Sequence, residues 1–214
     1  MSDAGDPVRL VTSSARPVVL RNGVDIDDPL SVVLRFLEAL RHLESSDQSG
    51  PASFGESDLR LANQGGARIS AAEIAAILER RRAIDQALRA IAPGASLTVA
   101  ANKVPWVPLG QLFQTFAGIR GVGFSKMTKA LHRKRPALIP ILDSVVQRYL
   151  ADDDLGADAA FGERALGLVR GYKRDLDRNH AAVRAIRQEL ARRSYTLTEV
   201  RILDLLIWSV EAAY

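Results

Sequence analysis

Apolar residues recur at helical intervals over most of the chain, and no alternating pattern long enough for a large sheet interrupts them. Leu30, Val33, Leu34, Leu37 and Leu40 follow Asp27-Asp28-Pro29, where a carboxylate precedes a proline at the first helical position, so a helix is expected near 29–43. Ser70 with Glu73 three residues on has the form of a capping box. Ile74, Ile77, Leu78, Ile84, Leu88 and Ile91 then mark one helix up to Pro93. Ser45 to Ser57 carries Ser-Ser, Ser-Gly-Pro and Phe-Gly and reads as a loop. After the Pro/Gly-interrupted stretch Pro105-Trp106-Val107-Pro108, a short apolar helix over Leu109 to Phe116 runs into a turn at Gly118 to Gly123. Lys126 to Arg133 makes the second helix of that hairpin. Pro136 and Pro140 hold an extended connector, because proline lacks a donor and disfavours helix in the residue before it. Asp143 opens a helix through Tyr149. Helices near 160–177 and 180–193 follow, and a last one from Thr198 is apolar nearly all round, the mark of a buried core helix.

Before residue 25 the pattern changes. Val8 to Val11 and Val18 to Leu20 are two short β-branched pieces separated by Ser13-Ser14, an arm or small hairpin. The expected architecture is mostly α: an N-terminal arm over 1–24, then a helical domain over 25–214, a bundle of two subdomains holding the hairpin core at about 109–150.

Composition narrows the function classes. The 214 residues are 47% hydrophobic, enough for a sizeable core. There is no cysteine, hence no disulfide, thiolate zinc site or cysteine-ligated cluster. Met1 to Asp6 lacks the order of a secretory signal, and no apolar run approaches the roughly 20 residues of a membrane span. The reading is a soluble cytoplasmic protein with no membrane role. His42, His132 and His180 lack metal-ligand spacing and read as surface or helix-end residues. No metal or cofactor is implied.

Charge adds a polarity. The net +4 is modest, but Arg120 to Leu150 holds seven basic residues against the single acid Asp143, a net +6. Ala151 to Glu163 is −5 without a basic residue, and Arg164 to Arg193 returns to +6. Such blocks polarise a surface, and the first favours a nucleic-acid partner, duplex DNA held by its backbone. Gly121-Val122-Gly123 between two helices leaves N–H groups at a helix N-terminus, where a phosphate oxygen binds without sequence being read. The same glycines would also close an ordinary helix–helix turn. Asp143, 22 positions after Gly121, is a candidate catalytic carboxylate and equally a plain helix cap. Trp106 and Trp208 read as core residues rather than stacking platforms. Asp204, in the apolar last helix, requires an arginine partner.

Gly-Val-Gly-x-Ser followed by Pro-Ile-Leu-Asp-x-x-Val-x-Arg-x-Leu-Ala, over residues 121–151, resembles the core of the helix-hairpin-helix base-excision DNA glycosylase superfamily, in its adenine-glycosylase flavour. The resemblance implies a helical fold, N-glycosidic hydrolysis of a flipped base, Asp143 as the catalytic carboxylate, and Ser125 where glycosylase/lyase members carry a Schiff-base lysine. Lys126 lies one residue further, about 100° round the helix. Backbone contacts fall to Gly121, Val122, Gly123, Ser125, Lys126, Lys129, Arg133, Lys134 and Arg135. The chain departs from those enzymes in lacking an iron–sulfur cluster. Only rough location points to Glu38 as the carboxylate on an early helix. A second resemblance, through Lys129-Ala-Leu-His-Arg-Lys-Arg-Pro-Ala-Leu-Ile-Pro, is to an uncharacterised bacterial family that brings no activity with it. The alternative to an enzyme is a non-catalytic nucleic-acid-binding or interaction protein that keeps the glycosylase-like fold.

Overall fold

The computed structural model describes residues 16–40 and 50–212. Val8 to Val11, the last residues of the helix expected to 43, His42 and residues 45–49 of the expected loop lie outside them. The chain starts with a hairpin: β1 (Val18–Val19) pairs antiparallel with β2 (Asp25–Ile26), Val18 opposite Ile26 and Val19 opposite Asp25. Gly23, at φ +81°, makes the turn. Val18 and Leu20 are buried in the core, so this segment packs as part of the body and the hairpin crosses the expected 24/25 boundary.

Ten α-helices follow among the described residues. The first is α1 (Pro29–Leu40), which Asp28 starts by accepting from the Ser31 N–H. A second, α2 (Glu56–Gln64), occupies the end of the expected loop; the Gly55 N–H donates to the Asp58 carboxylate and the buried Asp58 and Leu59 tie it down. The helix expected over 70–93 is two, α3 (Ala71–Glu79) and α4 (Arg81–Arg89), broken at Arg80. The apolar row explains the break: between Leu78 and Ile84 there is no large apolar side chain that could keep a straight helix on the core. Ser70 and Glu73 form the expected capping box.

Then α5 (Trp106–Gln114) takes in Pro108 within its first turn, where no intrahelical donor is lost, so the proline segment begins the helix instead of interrupting it. The remaining helices are α6 (Phe124–His132), α7 (Ser144–Tyr149), α8 (Phe161–Arg178), α9 (His180–Arg192) and α10 (Glu199–Glu211). Buried apolar residues from Val18 to Ile207 form one cluster. Two packings dominate. α5 lies along α8 so closely that a Cβ on Gly110 would meet Leu166 at 2.6 Å and one on Gly162 would meet the Gly110 carbonyl at 2.7 Å. α10 runs through the core against α1, α7 and α9, buried from Ile202 to Ile207 as its composition requires.

The acidic loop has a structural role. The Arg21 guanidinium reaches Asp153, Asp175 (2.7 Å) and the Gly171 carbonyl (2.9 Å), lies over the Tyr149 ring, and its own backbone N–H donates to the Tyr149 hydroxyl. Arg174 also pairs with Asp153, and Arg164 grips Asp154 with two hydrogen bonds. Among the described residues, no helix is long and apolar enough to cross a membrane.

Candidate nucleic-acid interface and active site

The bend between α5 and α6 is set by backbone geometry. Gly121 has φ +81°, and a Cβ there would collide with the Glu73 carboxylate, so only glycine fits both the turn and the neighbour. Gly123 begins α6 with extended backbone and open space where a side chain would be. The Met127 N–H bonds to the Gly123 carbonyl, while the Phe124, Ser125 and Lys126 N–H groups find no acceptor among the described residues. That is the donor arrangement of an anion-accepting helix start.

Twenty residues on, the connector is pinned where it leads into α7. The Leu142 N–H donates to the Thr128 hydroxyl, the Ile141 N–H to Asp204 (3.4 Å), and Gln147 Nε2 to the Leu142 carbonyl. This delivers Asp143 as the cap of α7: its Oδ1 accepts from the Val145 and Val146 N–H groups, both at 3.1 Å, and its Oδ2 accepts from Trp208 Nε1 at 2.7 Å. The residue is only 8% exposed, yet it reaches the surface in an open cavity. A carboxylate has about four acceptor positions, and three donors leave one, on Oδ2.

That cavity, of about 520 Å³, brings together Gly121, Gly123, Ser125, Lys126, Lys129, Asp143 and Ser144 with Trp208 and the turn Gly66-Ala67-Arg68. Its cations differ in how far they are engaged. Lys126 Nζ is held by both Glu73 oxygens (2.6 and 2.7 Å), an ion pair that holds the Glu73 carboxyl below its usual range. Lys129 Nζ rests on the Gly66 carbonyl at 3.1 Å. Val122, expected among the backbone contacts, is buried, donates its N–H to the Ile119 carbonyl at 3.1 Å and does not line the cavity. Glu38 is exposed on α1 and does not line the cavity.

Two residues expected at the DNA backbone are elsewhere. Lys134 is buried and paired with the equally buried Asp58 at 2.7 Å. Arg135, 1% exposed, spends its guanidinium on the carbonyls of Pro51, Lys134, Leu88 and Ile91, closing the C-terminal end of α4. Neither reaches a phosphate. Arg133 is half-buried and does not line the cavity. The +6 of this segment therefore overstates its outward charge, since a charge run in sequence says nothing about which members turn inward.

Trp208 is the residue that sequence reasoning misplaced. It is 39% exposed and forms a cavity wall instead of filling the core. Its position at the end of an otherwise apolar helix was the available signal. One turn earlier on α10, Asp204 is sealed in, with Arg201 at 3.9 Å as its arginine partner and with Oδ1 lacking a hydrogen bond among the described residues. Burial pushes its carboxyl up to about 7, and the Asp143 charge adds to the rise. His132 ends α6 with Nδ1 against the Ile139 carbonyl, and burial takes its imidazole down to about 4. Among the described residues no group of His, Asp and Glu could hold a metal ion.

Residues 33–211 match a family of unknown function, DUF6308, and the chain belongs to that family. No curated protein and no solved structure matches it.

Proposed function

We propose that this member of DUF6308 binds duplex DNA through the Gly121–Lys129 hairpin and hydrolyses the N-glycosidic bond of an extruded nucleotide at Asp143, a base-excision activity in the cytoplasm. One observation carries the reading: the glycine bend, its free N–H groups and a carboxylate with an acceptor position to spare line one cavity with a cationic rim. A phosphate at the bend anchors the strand, and the base is turned out towards Asp143.

As the C1′–N bond breaks, the electron pair leaves with the base and positive charge builds on the sugar. Asp143 Oδ2 stabilises that charge and orients water, whose oxygen bonds to C1′ while a proton passes through solvent to the departing base. The three N–H donors fix the carboxylate in advance, and one of them belongs to Trp208 of the same cavity lining.

The second reading, a binding protein without catalysis, draws on the same hydrogen bonds, since an 8% exposed cap residue also has a purely structural use. One experiment separates the two. Duplexes bearing adenine opposite oxidised guanine, uracil, hypoxanthine or an alkylated base are incubated with wild type and Asp143→Asn, which keeps a capping side chain. Abasic product from at least one duplex, reduced about 100-fold or more by an Asp143→Asn protein that remains folded, supports the enzyme. Folded wild type that releases no base while binding DNA leaves the binding protein.

A further inference from the structure

The cavity is also lined by Gly66, Ala67 and Arg68 of a second tight turn, and the last of these stands in a conformation that few side chains adopt. Arg68 has φ +55°, one of two non-glycine residues with positive φ among those described. Ala67 and Ile69 on either side are buried while Arg68 is exposed. Asn63 fixes that geometry with a two-pronged clamp on Ile69: its Nδ2 donates to the Ile69 carbonyl at 2.8 Å and its Oδ1 accepts the Ile69 N–H at 2.6 Å. The Ala67 N–H bonds back to Ala62, and Lys129 braces the turn from the hairpin side through the Gly66 carbonyl.

Glycine would meet every one of these requirements without cost, and two glycines already stand just before the position. An arginine there is strained, and backbone strain is kept where the side chain has work to do. The side chain itself is exposed on the cavity wall and has no carboxylate partner among the described residues, unlike Lys126 in the same lining.

We propose that Arg68 is a second backbone anchor: the hairpin holds one phosphate, Arg68 in the same cavity lining holds another, and the nucleotide between them faces Asp143 and Trp208. This deepens the function proposed above and rests on it. The matching substrate is a strand distorted enough to present two phosphates to one cavity, as at an abasic or extruded nucleotide, rather than regular duplex.

The test is binding of a duplex with a central tetrahydrofuran abasic analogue, measured over a salt series, with regular duplex alongside. Arg68→Gly removes the charge and relieves the backbone. Arg68→Gln keeps the left-handed residue and removes only the charge. Both are expected to weaken binding of the abasic duplex about tenfold and to make the salt dependence shallower by about one phosphate contact. Melting temperature is expected to be equal or higher for Arg68→Gly, opposite in sign to the affinity change. Wild-type affinity and salt slope in both variants, with binding lost in Lys129→Ala, would overturn the role of Arg68 and leave the hairpin reading standing. Absence of salt-sensitive binding by folded wild type would remove both.

Discussion

Within one basic segment, the cations of residues 120–129 and those at 134–135 have opposite fates. Lys126 and Lys129 stay at the rim of the cavity, where their partners are a single carboxylate and a single carbonyl, and Arg120 is exposed close by. Lys134 and Arg135 go inside and are consumed by Asp58 and by four carbonyl groups. The difference teaches where a helix hairpin changes its employment: Lys126 and Lys129 before His132 serve the surface, and Lys134 and Arg135 after it hold α2 and α4 to the core. Asp143 and Asp204 repeat the contrast among acids, one capped by three N–H donors at an opening, the other enclosed with an oxygen unsatisfied among the described residues.

Lys134→Met is the strongest way to break this comparison. It removes the ammonium paired with the buried Asp58 carboxylate and is expected to cost about 3–5 kcal/mol in urea denaturation, whereas a loss below about 1 kcal/mol would return Lys134 to the surface. Asp204→Asn tests the second pair. The folded carboxyl titrates near 7 and the unfolded one in the ordinary range, so the contribution of Asp204 to stability follows a curve that is highest in acid and falls as pH rises from that range through 7. The asparagine variant is expected to level that curve, matching wild type near pH 4 and exceeding it by up to about 4 kcal/mol at about pH 8. Parallel curves for the two proteins would show Asp204 ionised throughout. Trp208→Phe removes the indole donor to Asp143 at a half-open site and is expected to cost about 1 kcal/mol by thermal melting. Arg120→Ala with Lys129→Ala is expected to change stability by less than about 0.5 kcal/mol while flattening the salt dependence of DNA binding. Unfolding of that double variant would erase the distinction between the two halves of the segment.

Features that depend on neighbours in sequence were legible. Asp28 before Pro29, Ser70 with Glu73, Asp143 and Thr198 each cap the helix expected of them, because a cap is settled within one turn. The hairpin and Asp143 could likewise be placed together, their spacing being short. What stayed hidden depends on distant partners. Lys134 turns inward because Asp58 waits on α2, a helix whose start is disguised by loop-like residues. Trp208 reaches the cavity because α10 crosses the whole core before arriving beside Asp143. The Gly65–Arg68 turn meets the hairpin only through the packing of α2 on α6.

The N-terminal hairpin lies ahead of residue 33, where the family match begins, yet its arginine is the bolt between Asp153, Asp175 and Tyr149. A shortened chain starting at residue 33 would leave those two aspartates without the cation that joins them, and would uncover the apolar seats of Val18 and Leu20. Anyone trimming this protein to its shared portion would be pulling out its fastening.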